Sequence, residues 1–151
     1  MNGKWLVIGL VGTAAVAGAA MYWLQVYAFY DRLPATTVLR LTTETGPQPL
    51  SLAEFEGIDA TSSPLRFRAC ARLADMTEIA SAVPVTEADP LIAPSWFSCF
   101  DAARIGGDLK RGEAKAYISE REIHLGVDRM IAVYPDGQAF AWHQLNGTLE
   151  D

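Results

Sequence analysis

The sequence predicts an α+β chain: one N-terminal transmembrane helix, then a small extracytoplasmic domain with a mostly antiparallel sheet and short helices. Three observations carry that expectation. Trp5 to Tyr30 contains no charged side chain, whereas Lys4 precedes it and Asp31-Arg32 follow. Leu65 to Leu73 alternates apolar and polar residues with the two-residue period of a strand buried on one face. Val127 to Tyr134 and Gln138 to Leu145 are β-type runs separated by Pro135-Asp136-Gly137, a turn in which proline presets a torsion and glycine accepts positive φ. The expected organisation is a cytoplasmic tail over residues 1–4, the helix over 5–30, the outer domain over 31–145 and a tail over 146–151.

The apolar run comes first. Its 26 residues would rise about 39 Å as a helix, against a hydrocarbon core of about 30 Å. Tyr22, Trp23, Tyr27, Phe29 and Tyr30 crowd one end and Trp5 marks the other, as expected of rings that prefer the headgroup level. A cleaved signal peptide is the competing reading, because Lys4, Trp5 to Val16 and Ala17-Gly18-Ala19 imitate its three regions. The apolar stretch, however, continues well past the roughly 7–15 residues of such a core. The N-terminus is placed in the cytoplasm, since a short tail is the simpler end to leave behind. Gly9, Thr13 and Ala17 recur every fourth residue and form a face on which helices could approach closely, although small residues are common in such helices without a partner.

Composition bounds the remainder. About 120 residues follow Tyr30, enough for one ordinary core. The hydrophobic fraction of 50% and mean hydropathy of +0.12 are raised by the apolar run. The chain carries 12 basic and 18 acidic residues, a net charge of −6, and leaving Lys4 aside takes the outer domain to −7. That balance argues against nucleic-acid backbones, which need clustered Lys and Arg.

Beyond the run, Asp31 to Ala35 reads as a link containing Pro34, and Thr36 to Thr43 as a β-branched strand ended by Gly46 to Pro49. Ser51 with Glu54 suits one capped helical turn over Ser51 to Phe55, followed by a polar loop from Asp59 to Pro64. The alternating strand puts Arg66, Arg68 and Arg72 on one face with Cys70. Such guanidinium groups could clamp an anion, but a solvent face paired with acids of the next strand is the preferred reading. Asp75 to Val83 reads as a short helix with Met76, Ile79, Ala80 and Val83 inward, closed by Pro84. Thr86 to Pro94 reads as an ordered loop. Trp96 to Ile105 gathers aromatic residues around Cys99, with Ser95 or Ser98 as a helix cap and Gly106-Gly107 as its end. Ala114 to Ile118 opens the final sheet segment, which the Val127 to Leu145 hairpin completes.

Two cysteines, 29 positions apart, suit a structural disulfide between Cys70 and Cys99 in an extracytoplasmic domain. The alternative is a thiol-dependent enzyme or redox protein, with Cys99 at a helix start and His124 or His143 as base. The histidines lie 19 apart, no Cys-x-x-Cys pair exists, and glycine patterns for phosphate binding are absent, so no metal, cofactor or nucleotide is expected. His143 reads as a satisfied polar residue beside Trp142.

Several segments together resemble an uncharacterised family of short, single-pass bacterial inner-membrane proteins with a periplasmic domain. They are Met1 to Lys4 with Met21 to Tyr30, Pro64 to Cys70, Ala93 to Ala102, Gly126 to Arg129 with Asp136-Gly137, and Trp142 to Asn146. Some members are labelled histidine kinases, yet no kinase motif occurs here. The resemblance implies an anchor and a periplasmic domain and transfers no functional residue. The expected role is a non-catalytic accessory, assembly or supernumerary subunit of a larger membrane complex, with the bilayer as a second partner. The alternatives are the thiol chemistry above and an anion-binding sensor using Arg66, Arg68 and Arg72.

Overall fold

A computed structural model describes residues 2–150 of the chain, which divides into two compact units between Tyr30 and Asp31. Helix α1 spans Gly3–Trp23 and continues as a π-helical turn over Leu24–Ala28. Every residue along α1 is exposed, and nothing within its own unit covers this apolar surface. Gly3–Ala28 is long and apolar enough to cross a membrane. The Tyr22 and Tyr27 rings meet edge to face at 6.4 Å within this unit.

In the second unit, β1 (Asp31–Leu33), β4 (Leu52–Asp59), β5 (Arg68–Leu73), β6 (Pro84–Val85), β7 (Lys115–His124), β8 (Val127–Val133) and β9 (Gln138–Leu145) form one sheet. Its order is β1-β4-β5-β9-β8-β7-β6, with every neighbouring pair antiparallel. Strands β2 (Arg40–Thr43) and β3 (Gly46–Pro49) make a separate hairpin. The α+β expectation and the terminal β8–β9 hairpin hold.

Four local expectations need correction. Asp31–Leu33 is not a link but the edge strand β1, Thr36 to Leu39 is irregular, because Pro34 lacks the amide that would continue the ladder, and Gly46–Pro49, expected only to end a strand, is itself β3. Leu52 to Phe55 is strand rather than helix: the amide and hydroxyl of Ser51, just before it, both donate to the Glu78 carboxylate, at 2.9 and 2.6 Å, so the serine is not available as a cap. The segment after Asp75 is a 3₁₀ helix over Met76–Ser81, capped by the Asp75 carboxylate, and it leaves Ala80 exposed. Helix α2 runs Ala102–Arg111 straight through Gly106-Gly107; Asp101, not a serine, caps it by accepting from the Arg104 amide at 3.0 Å. Glycine ends a helix when it takes positive φ, and here that residue is Gly112, at φ 75°.

The register assigns the layers. Phe67, Ala69 and Leu73 of the β5 segment, Ile131 and Val133 of β8, and Ala139 and Ala141 of β9 pack with Leu39, Leu41 and Leu50 around the β2–β3 hairpin. Thr42 Oγ1 donates to the Ser119 carbonyl at 2.9 Å, and Ser119 Oγ donates to the Arg40 carbonyl at 2.5 Å, docking that hairpin on β7. On the other face, Phe100 sets its ring edge to face with Phe140 and Trp142, at 6.1 and 6.4 Å. Helix α2 lies on this side. Its buried Asp108 accepts from the Tyr134 hydroxyl at 2.5 Å and pairs with Arg111. Burial, reinforced by the Asp108 carboxylate, pushes the Tyr134 hydroxyl's pKa up.

Candidate functional site

The hairpin register places Arg129 opposite His143. His143 is fully buried, with its ring stacked on Phe67 at 4.6 Å. Its Nδ1 lies 2.7 Å from the Pro64 carbonyl and its Nε2 accepts from Arg129 Nε at 3.1 Å, which fixes the neutral tautomer with the proton on Nδ1. The Arg129 guanidinium sits 4.1 Å over Phe67 and donates to Glu120 at 2.8 Å. Burial, then the positive charge of Arg129, holds His143 down at about pKa 4, against the opposing pull of the Pro64 carbonyl. A base so encumbered is a structural residue.

Beside this network the second histidine opens onto a cleft. His124 lies edge to face with His143 at 5.8 Å. The cleft, about 580 Å³, is walled by Leu33, Ala60, Pro64 and Leu125, with Asp31, Asp59, Thr61 and Ser63 as its polar groups. Asp59 Oδ1 accepts from the Ala60 amide at 2.8 Å, and burial lifts its carboxyl above the ordinary value despite nearby Arg129. Two bulges in the β7 register, and Glu122 at φ 48°, turn the chain so that His124 reaches this place. No group of His, Cys, Asp and Glu among the described residues could hold a metal ion.

The three arginines do not share one role. Arg66 precedes β5, so only Arg68 and Arg72 flank Cys70 on a strand face. Arg68 is buried rather than solvated: it donates to the carbonyls of Leu65, Phe67, Leu91 and Ile92 at 2.5 to 3.1 Å and lies 5.8 Å over Phe100. A guanidinium so engaged has little left for an anion. Arg72 faces Glu54 of the next strand at 3.9 Å and donates to the Asp136 carbonyl.

A disulfide joins Cys70 to Cys99 and leaves no free thiol among the described residues. Trp5 stands in the first turn of α1, Tyr22 and Trp23 in its last, Tyr27 in the π-helical turn and Tyr30 just beyond. Of the small residues, Gly9 and Thr13 are tied to each other within the helix, Thr13 Oγ1 donating to the Gly9 carbonyl at 2.8 Å, while Ala17 lies one turn on.

A family of unknown function (DUF6446) matches residues 37–151. The chain belongs to this family. The match contains both cysteines, both histidines and every strand from β2 onward, and stops short of α1 and β1. No curated protein and no solved structure matches the chain.

Asp59, Glu120, His124 and Arg129 were not singled out together by the sequence reading, although one signal existed. Counting outward from the Pro135-Asp136-Gly137 turn pairs Arg129 with His143, which predicts a cation against a histidine on the buried face. Asp31 had no such signal, because β1 itself was unforeseen.

Proposed function

We propose that the chain is a non-catalytic, membrane-anchored accessory or assembly subunit of a larger complex in the bacterial inner membrane, with its N-terminus cytoplasmic and its sheet domain periplasmic. The observation that carries this reading is the 26-residue Gly3–Ala28 helix, whose apolar surface is covered by nothing in its own unit. Such a surface requires lipid or the helices of a partner. The Cys70–Cys99 disulfide supports the outward placement, since such bonds persist in oxidising compartments. A bridged pair offers no free thiolate as a nucleophile among the described residues, while a redox role would pass through this same disulfide. The engagement of Arg68 with four carbonyls disfavours an arginine anion clamp.

The test is solubilisation of native membranes in mild detergent, native separation and mass-spectrometric identification of what co-migrates. A defined set of integral membrane proteins should accompany the chain. Migration as a lone 16.4 kDa polypeptide in its micelle, across several detergents, would sink the proposal.

A further inference from the structure

Apolar side chains that the sheet unit leaves uncovered gather at one end of it. Among the described residues beyond Phe29, the exposed large apolar ones are Val38, Ile92, Leu125, Leu145 and Leu149, with Ile92 and Leu125 at 85% and 81%. Register locates four of these five. Asp31 opposes Asp59 across β1 and β4, Ile58 opposes Arg68, and Arg68 opposes Trp142, so Asp31 marks the same end of the sheet as the last residues of β9. Leu145 ends that strand opposite Val127, and Val127 opposes His124, which puts Leu125 in the β7–β8 turn at this end. Leu149 stands over Gly126 of the same turn, where a Cβ would collide with it, and the Ile92 carbonyl is held by Arg68.

This tip is a built structure. The Glu122 carboxylate accepts from the Gly126 amide at 3.1 Å and from the Asn146 side chain, while Asp128 accepts from the Glu122 amide at 2.8 Å and from Asn146 Nδ2 at 3.0 Å. These bonds engage the acids of the tip within the fold and tie the C-terminal segment to the β7–β8 turn, so the leucines are what the tip presents outward. A lone exposed leucine needs no explanation, but a cluster rimmed by polar groups marks an interaction surface.

Connectivity names the partner. Only Phe29 and Tyr30 separate the π-helical turn, which ends at Ala28, from β1, which begins at Asp31. Three Cα steps keep Asp31 within about 11 Å of the last residue of the apolar helix. A helix that crosses a bilayer thus brings this end of the sheet, and not the opposite one, to the headgroup level. The short tether also makes a lipid contact intramolecular, so a few leucines suffice where a free domain would need a larger apolar face.

We propose that the sheet end carrying Leu125, Leu145 and Leu149 is a lipid-contact surface, which sets these side chains into the boundary between headgroups and acyl chains of the bilayer that α1 crosses. It rests on the membrane reading above.

The experiment reconstitutes the full chain in vesicles of phosphatidylethanolamine with phosphatidylglycerol as the minor lipid, some of the lipids carrying a nitroxide on the acyl chain. Leu125→Cys, Leu149→Cys and, as a control, Lys115→Cys are each labelled with a polarity-sensitive fluorophore while Cys70–Cys99 stays bridged. Lys115 is exposed and starts β7, about 30 Å along the strand from the tip. Nitroxide quenching at positions 125 and 149 should exceed that at 115 at least about threefold. High salt should not weaken it, because hydrocarbon contact is not screened as charge attraction is. Leu125→Glu should lower quenching at position 149 about twofold or more and leave the thermal midpoint unchanged, since Leu125 supports nothing in the fold. Equal quenching at all three positions, with the chain still floating with the vesicles after carbonate, overturns the proposal, leaves the anchor standing and frees the tip for a protein partner. A chain that carbonate strips from the vesicles fails the membrane reading and the proposal with it. Blue-shifted emission that grows with the protein-to-lipid ratio, without nitroxide quenching, assigns the tip to a second copy and likewise overturns the proposal.

Discussion

Acidification should unload stability through one histidine. An unfolded chain protonates His143 near its ordinary value of 6.5, whereas the native ring resists until about 4. Between these values the unfolded state binds the extra proton, so stability present in full above about pH 6.5 is lost as pH falls and levels off below about 4. The shift corresponds to about 2 kcal/mol lost between pH 7.5 and 5, and about 3 kcal/mol by pH 4. Asp59 acts in the opposite sense: its folded value is raised, so it adds stability as pH falls through that value toward 3.8, and the upper part of the window therefore isolates the histidine best. The assay is urea unfolding at constant ionic strength, read by tryptophan fluorescence, at intervals from pH 7.5 to 4. His143→Phe keeps a ring on Phe67 but orphans the Pro64 carbonyl and Arg129 Nε, costing about 1–3 kcal/mol at pH 7.5. It should also flatten the pH slope. An unchanged slope in that variant would refute the assignment.

The remaining expectations concern the other fastenings. Cys70→Ser and Cys99→Ser should each destabilise the domain by about 3–4 kcal/mol, the chain-entropy value for a 29-residue separation, and the double variant should be barely worse in urea titrations. Arg68→Gln should cost at least about 3 kcal/mol, because it strips donors from four carbonyls, whereas Arg72→Gln should cost under about 1 kcal/mol in the same titrations. Gly112→Ala should cost about 1 kcal/mol through its positive φ, visible as a lower thermal midpoint. The full chain should resist extraction by carbonate or high salt, as checked by fractionation, and release by carbonate would remove the anchor from the reading.

What the sequence made legible follows physical range. The apolar helix, the alternation in β5 and the β8–β9 hairpin are encoded by neighbours in sequence, and the expectations for them match the structure. Ser51 misled because its capping partner was decided 27 positions away, by Glu78. Gly106-Gly107 misled because glycine only permits a stop, and Gly112 supplied the left-handed residue instead. Alternation placed Arg68 on a polar face, but whether that face meets water depends on a loop more than twenty residues on, at Leu91 and Ile92. The cleft was least legible. Its walls come from β1, the end of β4 with the loop that follows it, and the β7–β8 connection, segments that only the strand order brings together.

The strand order has a further consequence at β5–β9. On one side of this junction stand β1, β4 and β5, on the other β9, β8 and β7, with only the two-residue β6 crossing from the earlier half of the chain to the far edge. Arg68, Cys70 and the side chain of Gln144, which accepts from the Asp89 amide and donates to the Glu87 carbonyl, all bind the segment that runs between the halves. The domain is thus two sequence-contiguous blocks joined by the β5–β9 ladder, the short β6–β7 ladder and the β2–β3 hairpin docked on β7. A backbone cut at exposed Ser95 would leave the blocks covalently attached through Cys70–Cys99, so a nicked molecule would run as one species without reductant and as two with it. Co-expression of the two blocks as separate polypeptides is a natural route to a complementing pair whose reassembly reports on oxidation.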